Sequence, residues 1–272
     1  MKITFIGGGN MASSLIGGLI ADEFTIADIC VVDIDPEKRQ YLSKQYGVQT
    51  FAELAPALEH VDVAAFCIKP QNFQEVIQAA AADIRKRKPL ILSIAAGIRT
   101  SDIAAWLGDS VAIVRAMSNT PALLRCGASG LYANSETSQT QRDQAESILR
   151  ATGIVEWVED ESLIDVVTAL SGSGPAYFFR MMESLASAAT QMGLPHDVAH
   201  LLTIQTALGA ARMALESGDD IATLRQRVTS PGGTTEQGLQ VMENNNIDQL
   251  MTDILDAARK RSIELADQLG DV

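Results

Sequence analysis

Phe5-Ile6-Gly7-Gly8-Gly9-Asn10-Met11-Ala12 stands between a short apolar run, Ile3 to Ile6, and an apolar stretch of helical character, Ser13 to Ile20. The run predicts a buried strand and the stretch a helix. Gly7-x-Gly9-x-x-Ala12 is then the turn that joins them. It has the form of a dinucleotide-binding fingerprint with alanine in the third place. Gly7 permits the tight turn, Gly9 lets backbone approach a pyrophosphate, and Ala12 lets the helix lie close to the strand. The helix start adds unpaired N–H groups and a positive dipole end. Taken alone, the motif is equally compatible with an ordinary glycine-rich turn, so its context decides.

Outward from that turn, strands and helices alternate. Strands are expected at Ile29 to Val32, Val48 to Phe51, Val61 to Ile68, Leu90 to Ala95 and Val111 to Ala116. Helices are expected at Pro36 to Tyr46, Ala52 to Glu59, Asn72 to Lys86 and Thr100 to Leu107. Continuous apolar strand runs in such an order predict a parallel sheet covered on both faces. Ligands then bind at the carboxyl ends of the strands. Those ends carry the Gly7 turn, Asp33, Lys69-Pro70, Ala96-Gly97 and Asn119-Thr120-Pro121. Ser129 to Ala133 and Ile154 to Val158 are expected to extend the sheet, with a helix from Thr140 to Ala151 between them.

Asp33 lies about twenty residues past the glycine turn, where a ribose-binding carboxylate belongs. There it accepts from ribose hydroxyls and repels a 2′-phosphate, which favours NADH. The same residue also fits a turn aspartate in Asp33-Ile34-Asp35-Pro36, and Lys38 and Arg39 are near enough in sequence to serve a 2′-phosphate.

After Glu159 strand signals stop. A helix over Ala176 to Met192 is apolar on nearly every face, through Phe178, Phe179, Met181, Met182, Leu185 and Ala189. Such a helix has to be buried, and a small helical domain has too little interior, which predicts a dimer of packed helices. Further helices are expected at Pro195 to Glu216, Ile221 to Val228, from Glu236, and from Ile247 to about Leu269. Before Glu236 stands Ser230-Pro231-Gly232-Gly233-Thr234-Thr235, with small residues, hydroxyls and a helix start: an anion site sized for a carboxylate or phosphate. A plain helix cap needs fewer of these features.

Composition narrows the function classes. The chain has 272 residues, 47% of them hydrophobic and 20% charged, with a formal net charge of −13. Nucleic acid and anionic membranes want clustered positive charge, and the one basic run, Arg85 to Lys88, fits a solvated helix end. Cys30, Cys67 and Cys126 show no metal spacing and fit reduced core thiols of a cytoplasmic protein. The uncharged segment Ile3 to Ala21 has one leading lysine, is broken by glycines, and lacks a leader exit. No other stretch is expected to span a membrane.

The chain resembles the pyrroline-5-carboxylate reductase family essentially end to end. The resemblance rests on Phe5 to Met11, Ile68-Lys-Pro-Gln71, Ser93-Ile-Ala-Ala-Gly97 and Arg115-x-Met-x-Asn-Thr-Pro121. Above all it rests on Ser171-Gly-Ser-Gly-Pro-Ala-Tyr177 and Ser230-Pro-Gly-Gly-Thr-Thr235. It implies an α/β N-terminal Rossmann-type parallel-sheet domain over 1–159 and an all-helical substrate-binding and dimerisation domain over 160–272. It implies hydride transfer from NADPH or NADH to the C=N carbon of 1-pyrroline-5-carboxylate, giving L-proline. Thr235 would lie near the imine nitrogen as proton donor. Ser230 with Gly232, Gly233 and Thr234 would hold the carboxylate. Gly7, Gly8, Gly9, Asn10, Met11, Ala12 and Asp33 would hold the dinucleotide, and Lys69, Pro70, Ala96, Gly97 and Asn119 would line its nicotinamide end.

The chemistry agrees independently. His60, His196 and His200 are outside every candidate loop, so no histidine acid is evident. A cyclic imine is basic enough to arrive protonated, and a threonine hydroxyl then suffices. Ser118 departs from the family's proline before Asn119, and Ala169 from its frequent glycine. Two other readings are a 3-hydroxyacid dehydrogenase-type reductase and a non-catalytic dinucleotide-binding regulator. The first wants a lysine on the helix after Ser171 to Gly174, where Arg180 stands; the second wants a degraded Ser230 to Thr235 site.

Overall fold

A computed structural model describes residues 1–108 and 110–270; residues 271–272 of the expected helical domain lie outside them. The strands are β1 Ile3–Ile6, β2 Ile29–Val32, β3 Gln49–Phe51, β4 Val63–Phe66, β5 Leu90–Ser93, β6 Ile113–Met117, β7 Gly127–Ala133 and β8 Gly153–Trp157. Among the described residues they form one eight-stranded sheet in the order β3-β2-β1-β4-β5-β6-β7-β8. The first six follow the doubly wound order 3-2-1-4-5-6 and run parallel.

β7 is the exception to the expected parallel sheet: it runs antiparallel to β6, pairing Val114 with Ala133 and Met117 with Gly130. The reason is the connection. Between Met117 and Gly127 the chain makes only a 3₁₀ turn, Thr120–Leu124, too short for a crossover to a parallel neighbour. β8 returns parallel to β7 through a crossover helix, α6 Gln139–Arg150.

Alternate strand residues feed the two faces. Phe5, Val31, Leu90 and Leu92 pack with Leu15 and Ile16 of α1 (Asn10–Ala21) and with Ile148 and Leu149 of α6. Ile6, Phe66 and Ile91 pack with Phe73 and Ile77 of α4 (Phe73–Arg87) and Ile103 and Leu107 of α5 (Thr100–Leu107). Each fully buried side chain of this kind contributes about 2 kcal/mol. Local signals set the helix ends. In α2 (Pro36–Tyr46), Asp35 accepts from the N–H groups of Glu37 and Lys38, Pro36 opens the first turn, and Gly47 closes the helix at φ 72°. α3 is a single turn, Leu54–Ala57. The basic run ends α4 as expected, and Arg85 donates to the Leu107 carbonyl at 2.7 Å. Cys126 is exposed, unlike the expected core thiol; Cys30 and Cys67 are half-buried.

Strands stop at Trp157, near the change of pattern at 159, but compactness divides the chain elsewhere. One unit holds Met1–Ser173 and the chain from Ala257 onward; the other is Gly174–Asp256. α7 (Leu163–Val167) is helical yet belongs with the sheet: a Cβ at Gly130 of β7 would come within 2.6 Å of Val167. A π-helical turn, Thr168–Gly172, follows.

The second unit is all helix among its described residues. It contains α8 Gly174–Gln191, α9 His196–Glu216, α10 Ile221–Arg227, α11 Thr234–Asn244 and the first part of α12, Ile247–Gly270. The apolar face expected to be buried is open in the single chain: Phe178, Phe179 and Leu185 are exposed, as are Leu201, Leu202 and Leu208 of α9. Contrary to the sequence expectation, α9 is long and apolar enough to cross a membrane by length and composition.

Candidate active site

The glycine turn after β1 is built as its spacing requires. Gly7 sits at φ 97°, and a Cβ there would lie 2.6 Å from the carbonyl oxygen of Cys67. Its N–H donates to the Val32 carbonyl at 2.7 Å. Gly9 is the N-cap of α1; no side chain caps that helix, and the space where a Gly9 Cβ would stand is open. The first N–H groups of α1 therefore face outward, as a pyrophosphate needs. Asn10 is exposed and Met11 half-buried, while Ala12 is buried against the sheet.

Asp33 is only 9% exposed. Oδ2 accepts from the Gly8 N–H at 2.7 Å and Oδ1 from the Asp35 N–H at 2.9 Å. Lys38 Nζ stands 3.9 Å from Oδ2, and Arg39 donates to the Asp33 carbonyl at 2.7 Å. The turn role is thus real: this carboxylate pegs the glycine loop to the end of β2. Two cations stand beside it. Ile34, missed from the sequence, projects 90% exposed next to it; its signal was an apolar side chain in an otherwise polar turn.

The other strand ends lie on the same edge of the sheet. Lys69 is exposed and precedes a 3₁₀ turn, Pro70–Asn72, after β4. After β5, Ala96 is exposed, but Gly97 is buried at φ 75°, and a Cβ there would meet Leu269 of α12 at 3.1 Å. Packing against α12 therefore accounts for this glycine. Asn119 spends both ends of its amide within the protein: Nδ2 donates to the Ser171 carbonyl and Oδ1 accepts from the Ala128 N–H, each at 3.0 Å. Ser118 beside it is 8% exposed, and its hydroxyl has no hydrogen-bond partner among the described residues.

Below this edge lies a buried polar network that the sequence did not announce. Arg115 of β6, 2% exposed, reaches Glu161 at 3.1 Å and Asp165 at 3.8 Å. Glu161 also accepts from the N–H of Thr100 at 2.8 Å and from its hydroxyl at 2.5 Å. That places an acid at the positive end of α5. Ser262 of α12 donates to Asp165 at 2.7 Å. The only sequence signal was an arginine inside an apolar strand.

In the helical unit, Gly233 is the N-cap of α11, which starts two residues before the expected Glu236. Gly232 takes φ 71°. Two backbone donors of the cradle are already engaged: Gly232 N–H with Glu236 Oε2 at 2.8 Å, and Gly233 N–H with the Ser230 carbonyl at 2.9 Å. No side chain caps α11. Ser230, Thr234 and Thr235 are exposed, so the remaining anion donors are the first N–H groups of α11 and three hydroxyls. His196 and His200 stack on exposed α9, 6.2 Å apart. Burial pushes the Cys67 thiol up, away from the thiolate form a nucleophile needs. No cluster among the described residues would hold a metal. A hollow lined by Met1, Lys2, Glu59, Asp62 and Arg87 lies at the amino edge of the sheet, away from every loop named above. Its lining mixes both signs of charge, whereas the strand-end loops are where a sheet of this order binds ligands.

Comparison with known proteins shows the family. The chain is 48% identical to a pyrroline-5-carboxylate reductase of Pseudomonas aeruginosa, over 99% of this chain and 98% of that one. The chain belongs to the pyrroline-5-carboxylate reductase family. The family model for pyrroline-5-carboxylate reductase dimerisation matches residues 161–265, and that for NADP oxidoreductase, coenzyme F420-dependent, matches residues 2–97. A solved pyrroline-5-carboxylate reductase from Coxiella burnetii superposes with a TM-score of 0.95 at 45% identity, covering 97% of this chain and 98% of that chain. The Plasmodium falciparum pyrroline carboxylate reductase, solved with NADP bound, gives 0.83 at 25% identity over 98% of each chain. This member is an oxidoreductase of the last step of proline biosynthesis, dependent on a nicotinamide dinucleotide and built to form a homo-oligomer. The hydroxyacid dehydrogenase and regulator readings are not favoured.

Proposed function

We propose that the chain reduces 1-pyrroline-5-carboxylate to L-proline with the residue roles that follow. The observation that carries this is the Ser230–Thr235 cradle: three exposed hydroxyls at a helix start that no side chain caps, with the Glu236 carboxylate holding the Gly232 N–H. Such a cradle suits a carboxylate substrate whose imine is already basic. When bound, the dinucleotide supplies a hydride to the C=N carbon. Ser230, Gly232, Gly233 and Thr234 hold the carboxylate. Glu236 releases the Gly232 N–H as the anion arrives, because two carboxylates do not share one donor. Thr235 positions the imine nitrogen and donates or relays its proton. Residues 160–272 supply this substrate-binding and dimerising part.

Gly7, Gly8, Gly9, Asn10, Met11 and Ala12 hold the pyrophosphate, and Lys69, Pro70, Ala96 and Gly97 shape the nicotinamide end. Asp33 faces the ribose and favours NADH, Ile34 offers an apolar seat for the adenine, and Lys38 and Arg39 keep NADPH usable. The oligomer is at least a dimer, in which a second copy covers Phe178, Phe179 and Leu185, and the protein works in the cytoplasm. Steady-state kinetics of the purified protein with 1-pyrroline-5-carboxylate and each cofactor test the reading. Failure to oxidise either cofactor, with cofactor still bound, would sink it.

A further inference from the structure

We propose that Asn119 is a positioning residue that acts through the Ser171–Ser173 turn rather than by touching the cofactor. The inference starts from Pro175. In a continued α-helix the Ser171 carbonyl would accept from the N–H four residues on, and proline has none. The carbonyl is orphaned by the sequence itself. Around it the chain adopts a π-helical turn, Thr168–Gly172, with the Ser173 N–H bonded back to the Thr168 carbonyl at 2.9 Å. Such turns are rare and cluster at functional sites.

Asn119 supplies the missing donor: its Nδ2 meets the Ser171 carbonyl at 3.0 Å. Its Oδ1 is fixed in turn by the Ala128 N–H at 3.0 Å, so the amide cannot rotate without breaking both bonds. Gly172 adds a second point of contact, because a Cβ there would stand 2.5 Å from Cε of Met117. Met117 is the last residue of β6, at the carboxyl edge where the nicotinamide end is proposed to lie. The clamp therefore sets where Ser171, Gly172 and Ser173 stand along that edge. One Nδ2 proton and one Oδ1 lone pair are spent in this way, so the protein fixes the orientation of the amide rather than leaving it free to turn toward a carboxamide.

The inference rests on the proposed reductase activity, and wild-type turnover measured alongside separates the two failures. Asn119→Ala removes both bonds. Asn119→Asp keeps the size and the acceptor for Ala128 but sets a carboxylate oxygen against the Ser171 carbonyl. In both variants we expect the dissociation constant of the binary cofactor complex to stay within twofold of wild type. We expect kcat at saturating cofactor to fall at least tenfold, with Asn119→Asp no better than Asn119→Ala. A fivefold or larger rise in the dissociation constant, whatever kcat does, would overturn the proposal in favour of direct contact. A lowered melting temperature with unchanged kcat for the folded fraction would overturn it in favour of a merely structural role.

Discussion

The backbone N–H of Gly8 donates to Oδ2 of Asp33 across 2.7 Å, so the residue proposed to choose the cofactor also holds the loop proposed to bind it. Selectivity and loop geometry are therefore coupled. Asp33→Ser should raise the ratio of kcat/KM for NADPH over NADH about tenfold, because the repelling charge goes and Lys38 and Arg39 remain. It should also destabilise the fold by about 1–3 kcal/mol, since one buried and one half-buried N–H group lose their carboxylate. Kinetics with both cofactors and urea melts check the two parts. An unchanged ratio would leave Asp33 a turn residue alone.

Thr235→Ala should lower kcat about a hundredfold, the lower end of what a positioned proton donor contributes. Cofactor affinity should stay within twofold. Thr235 stands in the first turn of α11, in a different compact unit from the glycine loop. Equal losses in turnover and cofactor binding would count against its role.

Arg115→Ala should cost about 3 kcal/mol or more, because it strands two carboxylates in a largely buried place. Replacing all three charges, as Arg115→Met with Glu161→Gln and Asp165→Asn, should recover much of that loss. Chemical denaturation of the single and triple variants decides it. A triple variant less stable than the single one would contradict this account.

Ser118→Ala should stabilise the protein by about 1 kcal/mol, since a buried hydroxyl without a partner carries an uncompensated desolvation cost. The melting temperature should rise without loss of turnover. A fall would mean that the hydroxyl has a partner in solution.

Leu185→Glu should weaken or abolish self-association, measured by sedimentation. Leu185 is 63% exposed in the single chain, and a carboxylate buried by a second copy would be desolvated. A variant that sediments as wild type would remove α8 from the interface.

The succession of strands along the chain was legible because the short, apolar runs alternate with helical ones; α2 spans Pro36 to Tyr46 and α5 Thr100 to Leu107 as expected, while the order of the strands within the sheet was given only by the structure. The direction of β7 was less so: it depends on the shortness of a connection rather than on any residue within the strand. Gly7 and Gly9 were legible through their context, a glycine turn between a buried strand and a helix at the start of an alternating pattern. The Arg115 network did not, because Glu161, Asp165 and Ser262 are far from Arg115 in sequence and carry no shared motif. The packing role of Gly97 was hidden for the same reason: its neighbour Leu269 lies 172 residues later, and only the folded chain shows that α12 comes back to it.

That return of α12 has a consequence for how the protein is made. The sheet and its dinucleotide loops are complete in sequence by residue 157, and a nascent chain emerging from the ribosome can begin to assemble them at once. Yet Asp165 waits for Ser262 and the packing of Gly97 waits for Leu269. The first part to be synthesised is therefore among the last to be finished. A nascent chain stalled before residue 257 would carry its nucleotide loops on a half-closed platform.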